Sequence, residues 1–128
     1  MTRRAIVPRG MEGAGPALQA SPGIVSHGHL FVTGMTGASG SEMPADPAVQ
    51  FEAAFDKIGT VLAEAGAGWD AVVEMTSYHI DIAAHFDAFR EVRARYVGEP
   101  WPAWTAVEVA RLRRPGALVE IRVIAALP

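Results

Sequence analysis

Ser77, His79 and Asp81 alternate within the run TSYHID and hold the residue types of a hydrolytic triad. On a strand the three share one face. Neighbours at i and i+2 stand roughly 6.6 Å apart along it, with parallel side chains. A triad needs successive hydrogen bonds, so this spacing argues against one. His79 alone remains a candidate for a pocket acid–base or hydrogen-bonding group; the other reading is a histidine satisfied at a sheet or subunit interface. His27 and His29 flank Gly28. Two histidines can begin a metal site, but no third ligand sits at a recognisable spacing, so solvated turn histidines are expected and no metal is assigned. The glycines of RGMEGAGP resemble a phosphate loop in composition only, because they do not follow a strand and open a helix.

Glu120 is the strongest single candidate. It sits within VEIRV, a strand expected to be central, among alternate apolar residues. A carboxylate held there can orient or deprotonate a water; the plainer role is an ion pair with Arg122 or with an arginine of another subunit. Glu108, in AVEVA, reads as structural first.

The elements that must position these groups follow from period and punctuation. RRAIVP leans to strand, and the Gly/Pro-rich stretch from Arg9 to Gly23 reads as loop. IVSHG and HLFVTGMT form an expected hairpin about Gly28. Asp46 followed by Pro47 is a helix start, and Phe51, Phe55, Ile58, Leu62 and Ala65 recur on one helical face until Gly66 and Gly68 end it. AVVEMTSYHID reads as a strand, AAHFDAFREVRARYV as a second helix, and PAWTAVEVARL and ALVEIRV as two closing strands. The order β-β-β-α-β-α-β-β predicts one α+β domain over residues 1–128, a mixed sheet with two helices on one face.

Alternation splits the closing strands. Thr105, Val107 and Val109, with Val119, Ile121 and Val123, are expected under the helices. Trp104, Ala106 and Glu108, with Glu120, Arg122 and Ile124, would form the opposite, mixed face. A tryptophan and an isoleucine there argue for burial against another copy of the chain.

Composition narrows the function. The 128 residues suit one domain, half are hydrophobic, and the net charge is −3. That balance offers no attraction to nucleic acid or an anionic membrane. With no cysteine, disulfides, thiolate catalysis and cysteine-held metals are excluded. No apolar run approaches the ~20 residues needed to span a bilayer. The start MTRRAIVPRG lacks the apolar segment of a secretory signal. A soluble cytoplasmic protein is expected.

HLFVTGMTG, VVEMTSYHIDIAAHFDAFREVRARYV, PAWTAVEVARL and VEIRVIAAL, in that order, resemble the YjgF/Rid family from about Ile24 to Leu127. The resemblance implies a chorismate-mutase-like fold assembled as a homotrimer, with the sheets lining a central barrel and three ligand clefts between adjacent subunits. It implies cofactor-free hydrolysis of reactive enamines and imines to keto acids and ammonia in the deaminating branch. Older members carry the label endoribonuclease, which the negative charge does not favour. In the deaminating branch an arginine after P-A grips the substrate carboxylate; here that position is Trp104. The cysteine two residues on is Ala106. The S-G-Q closing the hairpin strand is Thr33-Gly34-Met35. The tyrosine of P-Y-S-Q-A has no clear counterpart, Ser21 standing there without gaps. Gly34 and Glu120 keep the pattern. By the resemblance, Glu120 is the catalytic candidate, and Trp104, Gly34, Thr33, Ala106 and His79 the substrate-binding ones. An indole cannot replace a forked, charge-assisted pair of hydrogen bonds, so weak or absent 2-iminoacid deaminase activity is expected. Two readings follow: a Rid-like hydrolase of a small imine, enamine or related molecule, with backbone N–H groups near Gly34 and Ala106 steadying charge, and a ligand-binding or regulatory trimer without catalysis.

Overall fold

The computed structural model describes residues 2–128. In chain order the elements are β1 (Arg4–Ile6), α1 (Ala14–Leu18), β2 (Gly23–Ser26), β3 (His29–Met35), α2 (Pro47–Glu64), β4 (Val72–His79), α3 (Ile82–Arg93), β5 (Ala103–Glu108) and β6 (Val119–Ala126). Six strands form one sheet in the order β1-β2-β3-β6-β4-β5. Every neighbouring pair is antiparallel except β4 and β5, which run parallel with α3 as their crossover. The expected mixed sheet of an α+β domain is the one observed.

Local chemistry sets most of these elements. His27 (φ 50°) and Gly28 (φ 78°) both turn left-handed between β2 and β3, the requirement of a tight two-residue hairpin. Asp46 caps α2, its carboxylate accepting from the Ala48 N–H at 3.0 Å, with Pro47 as the first helical residue. Phe51, Phe55, Ile58, Val61 and Leu62 put one stripe of α2 wholly inside. At the start of α3, Glu108 Oε1 accepts from the Ile82 N–H at 2.9 Å, so the end of β5 caps the crossover helix.

Two additions were not legible in the pattern. The short α1 lies within the expected loop, and a 3₁₀ turn at Trp69–Ala71 precedes β4. Helix α1 buries no residue and stops at Gln19 (φ 55°), so it has no apolar stripe to announce it. Among the described residues three α-helices therefore form, of which α2 and α3 supply buried residues to the core.

The helices cover one face of the sheet. Val119, Ile121, Val123 and Ala125 of β6 are at most 1% exposed, as their alternation required, and Met75, Ser77 and His79 of β4 join them. The expectation for β5 is overturned. Parallel pairing sets Met75 beside Trp104, Ser77 beside Ala106 and His79 beside Glu108. Trp104, Ala106 and Glu108 thus belong to the helix side, while Thr105 and Val107 lie exposed on the open side. The reason is area: the indole finds Phe86 and Phe89 of α3 to pack on, which Thr105 could not fill. The open face retains Glu120, Arg122 and Ile124, beside Tyr78, Thr76 and Glu74 of β4, with Phe31 of β3 next to Ile124. No helix among the described residues is long and apolar enough to cross a membrane.

Candidate functional site

Glu120 and Gly34 meet where the ladder between β3 and β6 is irregular. Val32 pairs with Val123, yet Met35 pairs with Ile121, so β3 carries one extra residue at Thr33 and Gly34. The bulge brings Gly34 against the side chain of Glu120. A Cβ built on Gly34 would stand 2.3 Å from Glu120 Oε2 and 2.9 Å from its Cδ. Only glycine leaves room for the carboxylate there. Thr33 fixes the opposite edge, its N–H bonded to the Pro22 carbonyl at 2.9 Å and its hydroxyl to the Ser21 carbonyl.

Glu120, Gly34, Thr33 and Ser21 line a cavity of about 760 Å³. Two loops wall it. Gly37 passes so close to α2 that an added Cβ would lie 2.4 Å from the Gln50 carbonyl, which ties residues 36–40 to the helix. Gln50, 2% exposed, donates to the carbonyls of Pro44 and Gly116 and accepts from the Leu118 N–H, each at 2.9 Å. A buried amide satisfied on three bonds holds the loop before β6 in place. That loop delivers Arg113 and Arg114 to the cavity, α2 delivers Asp56 and Lys57, and the first loop delivers Arg9. Lys57 Nζ donates to the Ala38 carbonyl at 2.8 Å and Arg114 Nη2 to the Gly40 carbonyl at 2.6 Å. Burial, and then the charge of Arg114, hold the Lys57 amine below its usual range.

Trp104, Ala106 and His79 do not line this cavity within one chain. Trp104 stacks on Phe86 (centroids 5.6 Å, 8° between planes), and the Arg93 guanidinium lies 3.8 Å above its ring. Its Nε1–H donates to Ser77 Oγ at 2.9 Å, and Ser77 Oγ lies 2.7 Å from His79 Nε2. Ser77 and His79 thus do meet, contrary to the spacing argument: the imidazole spans the gap that strand rise leaves. Asp81 takes no part; it precedes α3 at φ 50° without a side-chain cap bond, and Trp104 occupies the third position instead. His79 is 1% exposed and edge-on to Phe89 at 4.7 Å. Burial pushes its pKa below 6.5, so the neutral ring is favoured. His27 and His29 bond locally at the hairpin turn, to Ser26 Oγ and to the His27 carbonyl. Among the described residues no group of three or more histidine, aspartate or glutamate side chains could hold a metal ion.

The cations of the cavity are what sequence reasoning missed. Arg113 and Arg114 precede a Pro-Gly pair, a signal for a turn but not for its destination. Lys57 sits at the rim of an amphipathic helix, where lysine ordinarily reaches for water.

Residues 14–127 match the family model described as Endoribonuclease L-PSP. The RutC family protein YjgH of Escherichia coli (strain K12) is 34% identical over 128 residues, covering 98% of this chain and 96% of that protein. The RutC family protein slr0709 of Synechocystis is 36% identical over 119 residues, covering 89% and 88%. The crystal structure of Rv2704 from Mycobacterium tuberculosis, a member of the YjgF/YER057c/UK114 family, superposes with a TM-score of 0.83 at 32% identity, covering 98% and 99% of the two chains.

Proposed function

The chain belongs to the YjgF/Rid family, and on that premise we propose that it is a cofactor-independent, cytoplasmic hydrolase acting on a small imine, enamine or related molecule. The observation that carries this reading is Glu120 set over Gly34 in an open cavity. Glu120 takes a proton from a water whose oxygen bonds to the C=N carbon. The electron pair of that bond moves to nitrogen, and the proton passes on to it. As the adduct collapses, Glu120 carries the hydroxyl proton to the departing nitrogen, and the C–N bond breaks to leave a carbonyl compound and an amine or ammonia.

The working cleft lies between subunits of a homotrimer, where the Trp104 side of one subunit faces the Glu120 cavity of the next. Two features support the assembly. Strand β5 is a sheet edge next to exposed Trp101, and the uncovered face carries Phe31 and Val107, 40% and 38% exposed. The ligand is small and without a free α-carboxylate, because Trp104 stands where the deaminating branch has its arginine; 2-iminoacid deaminase activity is weak or absent. Ala106 replaces the branch's cysteine, and with Trp104 it favours a second reading, a ligand-binding trimer without catalysis. Neither reading involves nucleic acid: the net charge of −3 supplies no attraction to a phosphate backbone.

Ammonia or amine release from a panel of imines and enamines, read by a coupled assay, tests the proposal. Glu120→Gln is expected to lower turnover by roughly a hundredfold or more, while the protein stays folded. Unchanged turnover removes Glu120 from its role, and no turnover by wild type across the panel favours the binding trimer.

A further inference from the structure

The cavity that holds Glu120 is lined by more positive side chains than negative ones: Arg9, Lys57, Arg113 and Arg114 against Asp56 and Glu120. The excess is not neutralised nearby. Among the described residues, the two side-chain ion pairs are Arg90 with Asp87 and Arg95 with Glu52, so neither Lys57 nor Arg114 has a carboxylate partner. Asp56, the other acid of the cavity, accepts from the Tyr96 hydroxyl at 2.8 Å. Lys57 and Arg114 each spend one donor on a backbone carbonyl, Ala38 and Gly40. An ammonium carries three donors and a guanidinium five, and those left over have no protein acceptor among the described residues. Two partly buried cations on one cavity, each with donors to spare, fit a site whose counter-ion comes from outside.

We propose that the Lys57–Arg114 part of the cavity is an oxyanion subsite, so that the molecule acted on at Glu120 carries a carboxylate or phosphate group away from its reacting carbon. The inference deepens the hydrolase reading and rests on it for the reaction, though not for the binding. It also places the anion where the lost α-carboxylate grip would not. Glu120 lies against Gly34, whereas Lys57 and Arg114 bond at Ala38 and Gly40, further along the same segment. A protonated C=N centre beside the carboxylate and an anion beside the two cations give the cavity a polarity that fixes ligand direction.

Lys57 is the single lysine of the chain, which makes a clean probe. Reductive methylation with carbon-13 formaldehyde keeps the charge and labels the Lys57 amine together with the N-terminal amine, and NMR follows the lysine methyl signal. Titration of the intact protein with inorganic phosphate, and separately with acetate, is expected to shift that signal saturably. Tighter phosphate binding assigns a phosphate ester, and tighter acetate binding assigns a carboxylate. Arg114→Met is expected to weaken the preferred anion roughly tenfold or more, while Glu120→Gln leaves the shift in place. Failure of both anions to saturate, or equal affinity in Arg114→Met, overturns the subsite. Unchanged hydrolysis in Glu120→Gln would instead overturn the reaction and leave the anion result standing.

Discussion

Two regions of this molecule treat polar groups in opposite ways. Around Trp104 most polar atoms close on one another, indole N–H to Ser77 and Ser77 to His79 beside Phe86 and Phe89, and the exceptions sit at the rim, where the Arg93 Nε lacks a partner and Trp104 borders a shallow cavity with Trp101. Around Glu120 they do not, since a carboxylate against a bare glycine and two cations on backbone carbonyls face a cavity of about 760 Å³. Satisfied polar groups among aromatic rings contribute stability and a single arrangement. Polar groups left with spare donors beside open space are where a ligand gains most. The first region therefore answers chiefly to stability measurements, and the second to binding and turnover.

The largest expected effect that could break this contrast is on Trp104. Trp104→Ala removes the stack on Phe86, the seat of Arg93 and one hydrogen bond. It should cost about 3 kcal/mol, the low end for tryptophan truncation because the ring is only partly buried. Urea unfolding at fixed protein concentration measures it, the fixed concentration being needed for any oligomer. A loss under about 1 kcal/mol would mean that Trp104 belongs with the cavity as a ligand wall rather than with the core.

Next comes Ser77→Ala. Ser77 is fully buried and its hydroxyl serves both Trp104 and His79, so its removal leaves the indole N–H and the imidazole Nε2 unpaired. A cost of about 2 kcal/mol is expected. A double-mutant cycle with Trp104→Phe sharpens the assignment: the indole N–H is absent from that background, so the serine should cost less there. Additive losses would show that the serine and the indole act separately.

The legibility of these regions differed for a physical reason. The capping of α2 by Asp46, its apolar stripe and the inward face of β6 are local or strictly periodic, and each could be read directly. In β6 the choice of face was forced, because Val119, Ile121 and Val123 alternate with Glu120 and Arg122. In β5 it was not. Period two says which residues share a face but not which face points in, and Thr105 with Val107 competed credibly with Trp104 and Ala106. Register against β4 decided it, and register is tertiary information. Glu120 stood out as a carboxylate on a strand expected to be central, while Gly34 was reached only through resemblance. The cations were invisible because α2, the 36–40 segment and the loop before β6 meet only in three dimensions, and Gln50 ties the last of these in place by long-range hydrogen bonds. The Ser77–His79 contact escaped because strand rise fixes where side chains start, not how far an imidazole reaches.

The smallest effect expected is a pH dependence confined to the sealed region. Burial lowers the His79 pKa below its ordinary 6.5, and the ring lies among Phe86, Phe89 and Ser77. Between the folded and unfolded values the unfolded chain binds the extra proton. The contribution to stability is then complete above about pH 6.5 and declines as pH falls toward the lower folded value, with a slope of at most ~1.4 kcal/mol per pH unit. Subtracting the stability profile of His79→Gln from that of wild type isolates this titration from every other group. A difference curve that is flat between pH 5 and 7 (the interval below and just above the ordinary histidine value) would show that His79 takes its proton as readily folded as unfolded. That result would require the layer around His79 to admit water, and it would erase the distinction between the buried serine–histidine pair and the open charged region.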